Sequence, residues 1–215
     1  MNRVVVIDYG MGNLRSVVKA LEHVASKQAH VALTASPEEI LEADRVVFPG
    51  QGAARDCMQA LRNSGVLAAL RQVATDRPFL GICMGMQVLL DHSEENAGTD
   101  CLGLVPGRVT RFAKQQPDAD GSCLKIPHMG WNQIRQTVPH PLWRGIAQDS
   151  HFYFVHSYYV QPESAESVAG MTDYGISFCS AMACGNVFAM QSHPEKSAAP
   201  GLRLLQNFMS WKGDC

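Results

Sequence analysis

Cys83 stands in the stretch FLGICMGMQ (79–87), with Gly81 and Gly85 two positions to either side. A short apolar run leads into it, and the residues after it recur at helical spacing. Met86, Leu89 and Leu90 share one face there, while Gln87 and Asp91 share the side of Cys83. A nucleophile on a tight strand-to-helix turn needs small neighbours, because the strand and helix backbones approach closely. The spacing therefore predicts a cysteine elbow. The helix N-terminus favours the thiolate, and the N–H of Met84 is placed to bind an oxyanion. G-x-C-x-G by itself leaves a buried structural cysteine open.

A cysteine nucleophile needs a base and an orienting group. Among eight histidines, His193 in QSHPEK (191–196) has the most suitable surroundings. Pro194 pushes the residue before it into an extended conformation. Extended backbone puts His193 and Glu195 on one face, so the carboxylate can hold the imidazole as in other Cys-His-acid sites. Without the elbow, the same stretch would read as a strand end with two solvated polar residues. His156 is a weaker base, since no acid follows it at short range.

Two glycine-rich turns follow apolar strands. PGQG (49–52) lies at the carboxyl edge where α/β sheets bind ligands, and bare backbone there can approach a substrate; an ordinary turn is the alternative. Gly10-Met11-Gly12-Asn13 is half of a dinucleotide loop. It lacks the third glycine and a suitably placed acidic residue, which disfavours NAD.

Apolar blocks alternating with helical patterns must position these turns. Val4–Asp8, Arg45–Phe48 and Pro78–Ile82 read as buried strands. Leu14, Val17, Val18 and Leu21 mark a helix, Ser36-Pro37-Glu38-Glu39 a capping box opening a short one, and Val66–Thr75 another. This is the pattern of a parallel sheet with helices on both faces. The second half predicts strands at Gly107–Phe112, Lys125–Pro127, His151–Val160, Val168–Thr172, Phe178–Ala183 and Val187–Gln191. A turn at Cys184-Gly185-Asn186 suggests that antiparallel strands are added, and Pro200–Trp211 closes as a helix. Lys114–Cys123 is polar and reads as a surface loop, and no internal repeat is visible.

The 215 residues suit one α/β domain, taken here as 1–215. A composition 46% hydrophobic and 18% charged fits a buried core, and a net charge of -2 points to neither nucleic acid nor an anionic membrane. The apolar runs fall far short of the roughly 18 residues that span a bilayer. The N-terminal MNRVVVIDYG reads as a first strand and not as a secretory signal. Seven cysteines without paired spacing fit reduced thiols in a cytoplasm, and no zinc pattern or other metal site is evident.

PGQG, GICMGMQ and HPEK in this order resemble the class I, or triad, glutamine amidotransferases. DYGMGN, HSEE, PHMGWN, YFVHSYY and QSHPEKS together look like the glutaminase subunits of imidazole glycerol phosphate synthases. The resemblance runs from Val4 to Phe208. It implies a flavodoxin-like α/β fold with a mostly parallel sheet, no cofactor, and glutamine hydrolysis through a thioester on Cys83. His193 is implied as acid and base, oriented by Glu195. Met84 and the strand near Gln51 would supply the oxyanion hole, with Gly50 and Gly52 beside it. Gln87, Glu95 and the backbone at Ser157 and Tyr158 are implied to hold glutamine. Glu95 also makes chemical sense as a partner for an α-ammonium; otherwise Glu94-Glu95 would be a solvated helix end. The resemblance further implies docking on a (β/α)8-barrel synthase subunit through Asn13, Trp131, Asn132, Tyr153 and Lys196. Gln51 is a departure, since the family commonly has a small aliphatic residue such as valine there. Other synthase partners, a thiol hydrolase and an inactive binding subunit are the competing readings.

Overall fold

The structure is a computed structural model that describes residues 2–25, 27, 29–113, 116–117 and 123–214. The first half runs β1 (Asn2–Ile7), α1 (Leu14–Val24), β2 (Ala29–Thr34), α2 (Pro37–Leu41), β3 (Arg45–Gly50), α3 (Ala54–Ser64), α4 (Leu67–Asp76), β4 (Phe79–Cys83) and α5 (Met84–Gln87). The second half runs β5 (His92–Ser93), β6 (Thr99–Asp100), β7 (Gly107–Arg111), β8 (Gln116–Pro117), β9 (Cys123–Leu124), β10 (His128–Gln136) and β11 (Ser150–His156). It closes with β12 (Tyr158–Pro162), β13 (Val168–Asp173), β14 (Ser177–Cys184), β15 (Val187–Met190) and α6 (Ala198–Ser210).

One sheet takes the order β2-β1-β3-β4-β15-β14-β12-β7-β5-β6, with β10, β11 and β13 attached beside it. The first five strands are mutually parallel. From β15 onward the pairings with β14, β12 and β7 are antiparallel. The expected parallel core with added antiparallel strands is thus the architecture formed. β4 and β15 are buried along their length, as strands covered on both faces must be. Val5, Ile7, Phe48 and Phe79 pack on one face with α3 and α4. Val4, Val6, Leu80 and Ile82 pack on the other, against α1 and α6.

Several local expectations need correction. The edge strand β2 and the helix α3 were not anticipated; β2 is only half buried and gives a weak apolar signal. Ser36 caps α2 by accepting from the Glu39 N–H at 3.3 Å, but its own N–H bonds to Thr34 Oγ1, so the return half of the capping box is absent. Lys125–Pro127 is not a strand. The strand begins after the cis Ile126-Pro127 peptide and runs to Gln136, largely exposed, which is why its pattern escaped notice. His151–Val160 is two strands broken at Ser157, because β11 pairs with β10 whereas β12 pairs with β7 and β14. Of the expected Lys114–Cys123 loop, residues 114, 115 and 118–122 lie outside those described, and Gln116–Pro117 pairs with Cys123–Leu124.

The helix after Cys83 is a single turn. It stops because the carbonyls of Val88, Leu89 and Leu90 accept from Leu102, Leu104 and Gly103 at 2.8 Å each, not from a further helical turn. Asp91 consequently leaves the Cys83 side and accepts from the Gly107 N–H at 2.8 Å. The expected role of the flanking glycines holds. A Cβ at Gly81 would lie 2.9 Å from the Gly85 carbonyl oxygen, and one at Gly85 would overlap the Phe48 carbonyl.

Gly85→Ala should therefore lower stability by about 1–3 kcal/mol, the usual effect of overpacking. Gly185→Asn is the control: Gly185 has φ +55° and open space around it, and asparagine tolerates that conformation. Urea unfolding of both variants checks this, and equal stability would show that α5 moves freely off β3.

Candidate active site

Cys83 ends β4 with φ 55° and ψ -109°, a conformation that a side-chain-bearing residue adopts only under constraint. The constraint is the crowding of α5 against β3, where Gly50 and Cys83 are register partners. A Cβ on Gly50 would lie 2.5 Å from the Tyr9 hydroxyl and 2.9 Å from Met84 Cβ. The PGQG turn and the elbow are therefore in contact, as their places at neighbouring strand ends require.

His193 follows β15, the strand on the other side of β4. Its N–H donates to the Tyr153 carbonyl at 2.9 Å. Ser197 Oγ donates to the His193 carbonyl at 2.6 Å and accepts from the Tyr153 N–H at 3.0 Å. These bonds pin the short turn Pro194–Lys196 to β11. Glu195 Oε1 meets His193 Nδ1 at 2.9 Å, and both side chains are almost wholly buried. Burial opposes the charged imidazole, but pairing with Cys83 and Glu195 outweighs it and raises His193 to about 10. Hydrogen bonding toward Cys83 is the largest raising cause, ahead of charge, although Nε2 has no partner within strict hydrogen-bond geometry. Such contacts commonly tighten only when substrate is bound.

Cys83 and His193 face a cavity of about 660 Å³. Gln51, Gly52, Met84, Gln87 and Glu95 line it, together with Ser157 and Tyr158, and the Gly10–Gly12 turn forms part of its rim. Gly50 borders a smaller crevice behind, shared with Asn13, Gln51 and the His193–Glu195 pair. Glu95 is half-buried and accepts from the Ala54 N–H at 2.7 Å, so it is no solvated helix end. Desolvation raises its carboxyl above the ordinary range, only partly offset by that bond.

The residues expected at a partner surface divide. Trp131 is 53% exposed and meets Tyr153 edge-on at 6.1 Å, and Lys196 Nζ lies 5.9 Å from the Tyr153 ring centroid. Met129, 61% exposed and on the same side of β10, extends this row; sequence reasoning missed it, although its position two residues before Trp131 is a signal. Asn132 faces the other way, its amide donating to the Asp173 carbonyl at 2.9 Å.

His156 is no competing base. Its Nδ1 donates to the Tyr158 carbonyl at 2.8 Å, and its Nε2 meets His128 Nδ1 at 2.9 Å. Burial pushes His156 down to about 3 and His128 to about 4. His140, which accepts from the Leu142 N–H, is likewise lowered to about 4 by burial. Gln191 and Tyr9 also lie against the catalytic group without having been given roles. Gln191 was legible only as a polar residue ending a buried strand.

Residues 5–211 match the family described as Glutamine amidotransferase class-I. The chain is 57% identical over 213 residues to the "Imidazole glycerol phosphate synthase subunit HisH" of Nitrosococcus oceani, covering 99% of each. It is 56% identical over 213 residues to the protein of that name from Pseudomonas putida, again covering 99% of each. Among solved structures, a chain of PurLQS from Thermotoga maritima shares the fold, with a TM-score of 0.71 at 15% identity over 97% of each chain. A structure titled as a glutamine amidotransferase gives 0.70 at 17%, over 96% of this chain and 99% of that one. An α/β sheet carrying a strained cysteine beside a buried His-Glu pair is thus the frame of a class I glutamine amidotransferase, and the chain belongs to that family. Within it, the chain is a member of the HisH group, the glutamine amidotransferase subunits of imidazole glycerol phosphate synthase.

The buried histidines set an acid limit. Their folded values lie below the roughly 6.5 of an unfolded histidine, so the unfolded chain binds protons first as pH falls. His193 has the opposite sign; its contribution is fully present below about 6.5 and is lost only as pH rises through about 10. Between pH 6.5 and 4.5 the three buried histidines therefore dominate, and stability should fall by on the order of 1 kcal/mol per pH unit or more. Urea midpoints measured across that window check it; a flat profile would mean these rings are charged in the folded state.

Proposed function

We propose that the whole chain acts as one domain that hydrolyses glutamine to glutamate and ammonia, and passes the ammonia to a synthase subunit. The observation that carries this reading is the buried His193–Glu195 pair, held at 2.9 Å beside Cys83 on a shared cavity. Glu195 holds Nδ1, which leaves Nε2 as the atom that handles protons. His193 holds the proton of the Cys83 thiol, and the thiolate Sγ attacks the side-chain amide carbon. The tetrahedral oxyanion is bound by the N–H groups of Met84 and of the Gln51 strand. Collapse breaks the C–N bond, the proton passes from His193 to the leaving nitrogen, and ammonia departs. Water then attacks the thioester, His193 accepts its proton, and glutamate leaves as the thiol re-forms. Gly50 and Gly52 let the backbone approach the substrate. Gln87, Glu95 and the Ser157–Tyr158 backbone hold glutamine, with Glu95 opposite its α-ammonium.

The partner on this reading is a (β/α)8-barrel synthase subunit that makes imidazole glycerol phosphate and an aminoimidazole carboxamide ribotide in the cytoplasm. The exposed Trp131–Tyr153–Lys196 row supports a docking face, with Asn13 close to the crevice behind His193 and Asn132 bracing β10 from its other side. Among the described residues, no helix is long and apolar enough to cross a membrane.

Cys83→Ser should abolish glutamine-dependent synthesis by the complex while ammonia-dependent synthesis continues, because that second step belongs to the partner. Loss of both activities in a variant that still docks would sink this reading.

Gln51 offers a finer test. Its side chain is exposed at the cavity edge, which fits the backbone N–H as the oxyanion donor. Gln51→Val should keep glutaminase turnover within about threefold, under 1 kcal/mol of barrier. Gln51→Pro removes the N–H and should lower turnover by ~10²–10³. Co-elution with the synthase subunit shows that the proline variant still docks. A large loss in the valine variant would assign the oxyanion contact to the side chain.

A further inference from the structure

Tyr158 supplies a carbonyl that can only accept. Two donors reach it: His156 Nδ1 at 2.8 Å and Gln87 Nε2 at 3.2 Å. Gln87 must therefore turn its NH₂ group toward Tyr158, which fixes an amide whose oxygen and nitrogen would otherwise be interchangeable. The same Nε2 donates to Gln191 Oε1 at 2.9 Å. Gln191 must present its oxygen to Gln87, so its own NH₂ points the other way. There it meets Cys83 Sγ at 3.6 Å, an ordinary length for a hydrogen bond to sulfur. Gln191 is wholly buried and Gln87 nearly so. Neither amide is free to turn over to water.

We propose that Gln191 is a positioning residue for the nucleophile: its amide N–H, oriented from the Tyr158 carbonyl through Gln87, holds the Cys83 sulfur and favours its thiolate. A hydrogen bond donated to the charged form stabilises that form, and the effect is strong where water is excluded. The other titratable groups facing the sulfur are His193, backed by Glu195, and the Tyr9 phenol. His193 supplies charge and exchanges the proton. Gln191 carries no charge and exchanges nothing, but its donor is fixed in direction before substrate arrives. The chain of bonds also ties the thiol to the Ser157–Tyr158 wall of the cavity. A displacement of that wall would rotate the donor away from the sulfur.

The proposal rests on Cys83 as the glutaminase nucleophile, and the test keeps the two apart. Iodoacetamide labelling of Cys83, followed by peptide mass mapping across pH, reads the thiolate without any glutamine turnover. Gln191→Met keeps the bulk and removes the donor; its labelling profile should move to higher pH by about one unit, with glutaminase kcat in the partner complex down about tenfold and KM within about threefold. Gln191→Glu is closer in shape but turns a carboxylate oxygen toward the sulfur, so its shift should be larger than that of the methionine variant. A purely structural role predicts the reverse order, because the nearer isostere would disturb least. A wild-type labelling profile in Gln191→Glu, or unchanged kcat in both variants, overturns the proposal. Co-elution of each variant with the synthase subunit at the wild-type ratio confirms that it is folded and docked. A shifted labelling profile with no effect of Cys83→Ser on glutaminase activity would instead retain the Gln191 contact and refute Cys83 as nucleophile.

Discussion

The positive φ of Cys83 is the constraint from which the rest of the site follows. A strand that ended with ordinary geometry would send its last side chain into a sheet face. With φ at 55°, β4 turns at once into α5 and leaves the sulfur at the carboxyl edge. Holding a non-glycine residue there costs about 1–3 kcal/mol. The surrounding packing offsets it. β4 sits between β3 and β15 in the middle of the parallel block, buried on both faces. Gly50, Gly81 and Gly85 remove the side-chain atoms that would push α5 away from its neighbours. Because the flanking strands run parallel to β4, their carboxyl ends arrive at the same edge. PGQG comes from one side and QSHPEK from the other, and no further device is needed to bring them to the cysteine.

The antiparallel extension does a different job. It closes the cavity wall opposite the elbow and supplies the anchor for the histidine. The break at Ser157 lets β11 pair with β10 while β12 joins β7 and β14, so one continuous stretch of chain serves both purposes. Tyr153 sits where these purposes meet. Its backbone accepts from His193 and donates to Ser197, while its ring carries the contacts with Trp131 and Lys196. An exposed aromatic row is therefore only a few bonds from the base. A partner that altered the pitch of β11 would act on His193 directly through the main chain.

The sequence displays the site more clearly than the elements that frame it, and the reason is physical. G-x-C-x-G and H-P-E are local: glycine spacing, proline geometry and a two-residue separation each dictate conformation over a few bonds. Buried parallel strands are also legible, because covering both faces demands continuous apolar runs. β10 is different. Exposed along much of its length and held by pairing with β11, it shows no apolar period, and its start is set by Pro127. The single-turn length of α5 was equally invisible, since Met86, Leu89 and Leu90 are all fully buried and look like one helical face. What ends the helix is hydrogen bonding from the 102–105 segment, a contact between distant stretches that no local pattern encodes.

Charge is distributed in the same economical way. Three histidines are kept neutral by burial, and one is kept charged despite it. The difference lies in what each ring can reach. His128 and His156 bond to each other, and His156 donates to a carbonyl, which satisfies both rings without any net charge. His193 has a carboxylate on Nδ1 and a sulfur on the side of Nε2, so desolvation that neutralises the other rings is outweighed there. The neutral pair and the charged one meet at the cavity, where His156 and His193 oppose each other's charge. Keeping His156 neutral therefore spares His193 a competing positive charge. The Tyr158 carbonyl, an acceptor whatever the state of His156, sets the orientation of Gln87 and, through it, of Gln191.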